Sequence, residues 1–447
     1  MRGFSSGRSA VALIGLALLV RGAAVAVGRE SLQADPDGYR RLAENLVSRA
    51  TLGRANQPTA FRPPLYPMLL AGCVALGPWA DTAIGLLHVA MGMATVWMVF
   101  WMACRWGLGA WAMLAAGLVM CDPILLAQST LVMTETLATL LAVVAVGALA
   151  WAGRNGSPWQ AAIAGLCLGL AALCRPTFLA PAAMAAVLLP LLVPGRRNRL
   201  LSPLCLLAGV ALLIGPWALR NQIYLGRPIV GTTHGGYTFL LGNNPYFYQY
   251  LRSGPWGSVW DARELQQAKE RQFASAARLS EVDADQLAYR EAMDNIRREP
   301  GMFAYSCLVR VGRLWGLIPH QLSPNEPAVR RFARYAVGLW YAIELAAAAL
   351  GLIMLIRRRN QPGNCKLPQE QGNDLGASAA ARLDCQGWAW WLVLAISFTG
   401  VHAFYWSDMR MRAPLMPGVA LAAAVGARRL AAAIPGRRSQ QAATLGK

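Results

Sequence analysis

The stretch Ala34-Asp35-Pro36-Asp37-Gly38-Tyr39 decides how this chain is read, because it sets two carboxylates just after the first apolar run, residues 9–28. Carboxylates are costly near hydrocarbon unless they sit in a polar cavity and have a task. Around them, 56% of the 447 residues are hydrophobic, only 14% are charged, and the formal net charge is +20. A soluble domain carries about 25% charged residues, so this composition belongs to the bilayer. The positive charge is nearly all arginine, with lysine only at Lys269, Lys366 and Lys447. It falls in short turns between apolar runs, which is the positive-inside pattern of a membrane protein. No nucleic-acid-binding motif accompanies it, and no nucleic-acid partner is expected.

A spanning helix needs about 20 largely apolar residues. Segments that qualify are 9–28, 84–104, 108–127, 130–151, 160–174, 177–194, 200–219, 335–356, 388–406 and 413–434. The expected fold class is therefore an all-α polytopic membrane protein with about 10 transmembrane helices, in a range of about 8 to 12. Segment 64–78 is shorter and Pro-rich and is expected to be re-entrant or interfacial. With the N-terminus inside, Arg105, Arg154, the 195–199 turn, Arg357–Arg359, Arg428, Arg429, Arg437 and Arg438 all fall on the cytoplasmic side. Ala24-Val25-Ala26 is like a signal-cleavage triplet, but the apolar run continues past Arg21. A retained helix is expected, with Arg21 snorkelling to the outer interface.

This trace divides the chain into a membrane module over 1–219, an outer segment over 220–334, C-terminal helices over 335–434 and a cytoplasmic tail over 435–447. The first external loop, 29–83, holds an amphipathic helix with Tyr39, Leu42, Ala43, Leu46, Val47 and Ala50 on one side. The outer segment has a charged helical stretch near 261–298, and 303–319 reads as a helix lying at the outer interface. Loop 357–387 is polar and expected to be cytoplasmic. Six of the nine cysteines lie in or beside apolar runs, and none has disulfide or metal spacing. Cys365 and Cys385 fall in the polar loop.

The polar groups that can carry chemistry gather at the outer ends of spans: Asp35, Asp37, Arg62, Asp122, Glu135, Arg175, Arg220, His234, Asp408, Arg410 and Arg412. Such a mixture suits an anionic lipid substrate, since arginine forks bind phosphate bidentately and a carboxylate takes a proton or holds a cation. Simpler roles compete. Asp35 before Pro36 is a good helix cap, and Asp37 favours the same helix N-terminus. Asp122-Pro123 is an ordinary turn. His88 and His402 read as structural. Glu135, inside an apolar run, is a functional candidate by default.

The order of motifs is more telling than any single one. After the acidic run come Phe61-Arg62-Pro63-Pro64-Leu65-Tyr66-Pro67, Met133-Thr134-Glu135-Thr136-Leu137, Cys174-Arg175-Pro176-Thr177 and Gly215-Pro216-Trp217-Ala218-Leu219-Arg220-Asn221. Gly235-Gly236 leads into Leu241-Gly242-Asn243-Asn244-Pro245, and Met411-Arg412-Ala413-Pro414-Leu415-Met416-Pro417 opens the last span. Over residues 10–430 this order resembles the bacterial branch of the GT-C glycosyltransferases, similar to dolichyl-phosphate-mannose protein mannosyltransferases and the lipid A aminoarabinose transferase.

The resemblance implies an inverting transferase of the bacterial inner membrane. It would use a polyprenyl-phosphate-linked sugar donor and a lipid, glycan or protein acceptor at the outer face. It implies a catalytic base in the first external loop, matched by Asp35 and Asp37, with Asp37 preferred. Glu135 matches the family's second acidic position. Donor-phosphate ligands map onto Arg62, Arg175, Arg220, Arg412 and His234. No cofactor is required, though some relatives bind Mg²⁺ or Mn²⁺, for which Asp37, Glu135 and Asp122 are the candidate ligands. The 220–334 segment is short for the family and leaves the acceptor undefined. Two rival readings are a transporter or flippase, which would show inverted repeats and midplane acids, and a polyprenyl-linked glycan ligase or polymerase, which would carry its key residues in a late outer loop.

Overall fold

The computed structural model describes residues 6–193, 195–254, 260–275, 279–321, 325–359 and 375–433. The side chains of 6–9, 155, 271–275, 358–359 and 375–385 are outside that description. The expectations for Cys365, Cys385, most of loop 357–387 and the tail 435–447 therefore lie outside the described residues.

The chain is built almost wholly of helices: α1 (Ser6–Val27), α2 (Tyr39–Arg49), α3 (Leu65–Val74), α4 (Ala80–Arg105), α5 (Trp111–Cys121), α6 (Pro123–Ser129), α7 (Glu135–Asn155), α8 (Pro158–Cys174) and α9 (Leu179–Leu192). There follow α10 (Arg196–Leu225), α11 (Gly235–Gly242), α12 (Pro245–Ser253), α13 (Arg263–Ser275), α14 (Glu281–Arg298), α15 (Pro300–Leu314), α16 (Ala328–Arg359), α17 (Leu375–Phe404) and α18 (Met416–Ala433). The strands β1 (Gly53–Arg54) and β2 (Gln57–Pro58) form a small antiparallel ribbon. All ten segments expected to span are helical. Seven are long and apolar enough to cross a bilayer, and eight if the bent pair α5–α6 counts as one span. The other two, α8 and α9, fall short: the 17 residues of α8 reach about 25 Å at 1.5 Å per residue, under the roughly 30 Å of hydrocarbon. The chain is a multi-pass membrane protein.

Alternation of the spans puts Arg105, Arg154, Arg196, Arg197, Arg199, Arg357 and Arg428 at one end of the bundle. The other end carries the segment 28–64 and the described residues of 226–327, and is called the loop face below.

Two packing devices shape the bundle. Helices α8 and α10 meet backbone to backbone. A Cβ on Gly165 would stand 2.0 Å from the Leu206 carbonyl oxygen, and one on Gly209 would stand 2.3 Å from that of Ala162. Small residues let membrane helices approach this closely. The second device is the 48° bend between α5 and α6. Asp122 caps α6 by accepting from the Leu125 amide at 2.8 Å, while Pro123 has no N–H to give the Val119 carbonyl one turn earlier. Arg21 supplies the missing donor, at 2.7 Å to Val119 O and 3.0 Å to Leu125 O. An unpaired carbonyl in hydrocarbon costs several kcal/mol, which explains a buried arginine here. Arg21 is 1% exposed. It therefore does not snorkel outward, as its sequence position suggested; the break in α5–α6 holds it inside.

On the loop face, α2 buries Tyr39, Leu42 and Ala43 against α3, while Val47 at the far end of its stripe stays exposed. Helix α15 is not a purely interfacial element either. Its Arg310 is fully buried, donating to the carbonyls of Gly242 and, at 2.7 Å, Ala403.

Candidate active site

The acidic run folds into two different jobs. Asp35 accepts from the amides of Arg40 at 3.1 Å and Arg41 at 3.0 Å, so both of its oxygens hold the first turn of α2. Asp37 faces the other way. Its Oδ1 accepts from Arg62 Nη2 at 2.9 Å, and its main-chain carbonyl accepts from Arg62 Nε at 2.9 Å. Its Oδ2 has no hydrogen-bond partner among the described residues. Two contacts from one guanidinium fix the carboxylate's orientation, and Arg62 itself lies over the rings of Phe61 at 5.2 Å and Tyr39 at 5.5 Å. Asp37 lines a cleft of about 190 Å³ together with Gly38, Arg41, Arg54, Thr59 and Phe61 among others.

Across Arg54, Thr59 and Phe61, which border both spaces, lies a wider groove of about 750 Å³. Its far wall is α14, with His234, Tyr237 and the end of α10 at Tyr224 and Leu225. Glu281 at the start of α14 ties the groove together. It accepts from the Ala60 amide at 2.9 Å and from the hydroxyls of Thr59 and Thr233. Asp285, one turn on, accepts from the Gly236 amide at 2.6 Å. A Cβ on Gly236 would meet the Asp285 carbonyl at 2.1 Å, so the glycine permits the approach. Burial pushes the Asp285 carboxyl above its ordinary range. Burial, with Arg62 nearby, drives the His234 imidazole down to about 3, so it is neutral, with its Nδ1 unpartnered.

Glu135, the first residue of α7, is 2% exposed. Arg175, at the α8–α9 break, pairs with it at 3.1 Å. Arg410, on the short 3₁₀ helix Met409–Leu415, stands at 3.9 Å. Tyr39 lies within electrostatic reach of Asp37, Arg62, Glu135 and Arg175 alike, and burial raises its phenol far above the usual range. Both ion pairs thus act electrostatically on one buried tyrosine.

Other residues expected at the site serve elsewhere. Arg220 donates to the carbonyls of Leu52 at 2.8 Å and Thr59 at 2.9 Å, clamping the β1–β2 ribbon. Arg412 is fully buried, donates to the carbonyls of Leu314 and Gly316, and lies 4.3 Å over the Tyr341 ring. Asp122 bonds that same tyrosine at 3.1 Å, inside the bundle. His88, which was not expected at the site, bridges Tyr66 and the Ser129 carbonyl. The donor set for Mg²⁺ or Mn²⁺ does not fit. Asp37, Glu135 and Asp122 have separate partners, and no group of three His, Cys, Asp or Glu gathers among the described residues.

Sequence reasoning passed over Glu281, because an acid in the first turn of a helix ordinarily serves its dipole, and over Asp285, one acid among several on a charged helix. Glu281 reaches a threonine 222 residues away, a pairing that local pattern does not encode.

No family model and no curated protein matches the chain. Among solved structures it is similar to the Archaeoglobus fulgidus oligosaccharyltransferase tethered to an acceptor peptide, at TM-score 0.49 and 14% identity over 93% of this chain and 49% of that one. The chain thus spans about half the length of that protein. It is also similar to ArnT from Cupriavidus metallidurans, both bound to undecaprenyl phosphate (TM-score 0.40, 12% identity, 88% of this chain and 76% of that one) and in the apo state (0.39, 13%, 95% and 78%). At that distance the chemistry of this chain has to be read from its own residues.

Proposed function

We propose that the chain is an inverting glycosyltransferase that moves a sugar from a polyprenyl-phosphate donor to an acceptor at the outer face of a bacterial inner membrane, the loop face being the outer one. The observation that carries this reading is Asp37: a carboxylate oriented by Arg62, with one oxygen unpaired among the described residues, lining a cleft on the loop face. The order of sequence motifs supports the choice of reaction.

In this scheme the acceptor, lying along the wider groove, presents a hydroxyl or amine to Asp37 Oδ2, which takes its proton. The freed oxygen or nitrogen attacks the anomeric carbon from the face opposite the phosphate. The carbon–oxygen bond to the phosphate breaks, and polyprenyl phosphate leaves as an anion stabilised by guanidinium groups. One displacement inverts the anomeric configuration. Arg62 orients the base, and Glu281 holds the Thr59–Phe61 wall between cleft and groove.

A transporter reading would need a broken span open to substrate. The bend at Asp122-Pro123 has its freed carbonyl filled by Arg21, which argues against it. The deciding experiment supplies the purified protein, in proteoliposomes, with polyprenyl-phosphate sugars and follows the anomeric signal of the product by NMR. Release of polyprenyl phosphate with an inverted linkage is expected. Movement of intact lipid-linked sugar across the bilayer, without cleavage, would overturn the reading.

A further inference from the structure

Inside the bundle lies a second group of charged side chains, which the site does not use. On α16, Tyr341 and Glu344 share one face. Counted from Tyr335, where the apolar stretch of that helix begins, Glu344 lies about 14 Å along it, near the middle of about 30 Å of hydrocarbon. An acid at that depth marks a functional place by default. Asp122 at the α5–α6 break, Arg412 on the Met409–Leu415 segment and Arg21 on α1 complete the group. Asp122 is within electrostatic reach of the other three, and Glu344 of Arg412.

Two positive and two negative charges balance here, yet they do not touch. Arg21 donates to the carbonyls of Val119 and Leu125, and Arg412 to those of Leu314 and Gly316; neither forms an ion pair among the described residues. Asp122 uses Oδ1 on the Leu125 amide and the Tyr341 hydroxyl, and Glu344 uses Oε2 on the Trp340 indole at 2.9 Å. Left over are Asp122 Oδ2, Glu344 Oε1, and Nε and Nη2 of Arg412, all without a partner. The three residues are 1%, 3% and 0% exposed. Opposite charges held near one another but apart, in a low dielectric, call for a polar bridge between them.

The chemistry of the leftover atoms selects the bridge. Two are acceptors and two are N–H donors. A cation would be repelled by Arg412, and an anion by the two carboxylates. Water both donates and accepts, and a buried water makes about three hydrogen bonds to groups otherwise unpartnered. We propose that Asp122, Glu344 and Arg412 bind about one or two ordered water molecules between them, and that this hydrated junction seats the Met409–Leu415 segment. Arg412 anchors that segment in the bundle, 4.3 Å over the Tyr341 ring. Arg410, on the same segment, stands beside Glu135 in the candidate site. Glu344 acts on the site through Arg412 and is a positioning residue. The junction stands or falls independently of the sugar-transfer reading.

The test is X-ray footprinting of the full chain in phosphatidylcholine nanodiscs. Short pulses split water into hydroxyl radicals, which oxidise side chains where water is at hand, and mass spectrometry reads the rates. In the wild type, Tyr341 is expected to oxidise several-fold faster than Phe178 and Phe398, a ring pair equally buried at 0% exposure. Glu344→Met removes a ligand of the water at similar volume. It should lower Tyr341 oxidation several-fold and raise hydrogen exchange in 409–415. Glu344→Gln keeps the oxygen and should restore both toward wild type.

Equal oxidation of the three rings in the wild type, a comparison that needs no variant, would overturn the bound water. Unchanged Tyr341 oxidation in Glu344→Met would overturn Glu344 as its ligand. Unchanged exchange in 409–415, or a Gln variant no better than the Met variant, would overturn the seating of the segment.

Discussion

Asp37→Asn is the sharpest perturbation available, because the geometry separates what the carboxylate holds from what it accepts. The amide keeps an oxygen where Oδ1 receives Arg62 Nη2 at 2.9 Å, and the main-chain contact to Arg62 Nε is untouched. The site should therefore keep its shape and lose only the proton acceptor. General-base catalysis by a positioned side chain contributes about 10²–10⁴ in rate, equivalent to about 2.7–5.4 kcal/mol of barrier at 1.36 kcal/mol per tenfold. The loss should appear in kcat, with KM for donor and acceptor within about threefold of wild type, as expected when the interaction belongs to the transition state. Initial rates in proteoliposomes, with donor and acceptor varied separately, measure this split. Asp35→Asn is the matched control. It retains an acceptor for the α2 amides, loses about 1 kcal/mol of stability or less and keeps most of its turnover. A fully active Asp37→Asn, or an equal collapse in both variants, would refute the division of labour between the two aspartates.

Glu281→Ala removes the acceptor shared by Ala60, Thr59 and Thr233; hydrogen exchange should rise in 57–61 and 231–236, and turnover should fall with KM for the acceptor rising more than kcat drops. Gly209→Leu drives a side chain into the Ala162 carbonyl, so the detergent-solubilised protein should melt several degrees lower, with Gly209→Ala between the two. His234 is neutral in the folded state down to about pH 3 and takes a proton near 6.5 when unfolded. The unfolded chain therefore binds more protons between those values, and stability falls as pH drops through that window. His234→Gln should flatten this dependence, read as the change in melting temperature between pH 7 and pH 4.5.

The spans were legible because apolar runs of membrane length have little else to become. The first-loop helix was legible because its 3.6-residue stripe is strong. The two aspartates were separable in outline, since Asp-Pro is a capping signal and Asp37, directly before Gly38-Tyr39, better matches the base position that the resemblance implies. Choosing among the arginines was harder. Arg410 and Arg412 are equivalent in composition and differ only in which way a 3₁₀ turn points them, and Arg220 was claimed by a ribbon whose strands are two residues long. Arg21 defeated local pattern for a related reason. Its purpose is set by a proline in another helix, and no window on the first helix contains that information.

That distance matters for how the protein is made. Arg21 leaves the ribosome in the first helix, yet the carbonyls it serves lie 98 and 104 residues further along the chain. Until the α5–α6 pair has been synthesised, the first helix carries an unanswered guanidinium worth about 2.5–3.5 kcal/mol against insertion on translocon scales. Its insertion is therefore a joint event. The first helix waits beside the insertion machinery, or shifts in depth, until the bent pair arrives, and a nascent chain arrested before Pro123 should be found loosely held and accessible to carbonate extraction.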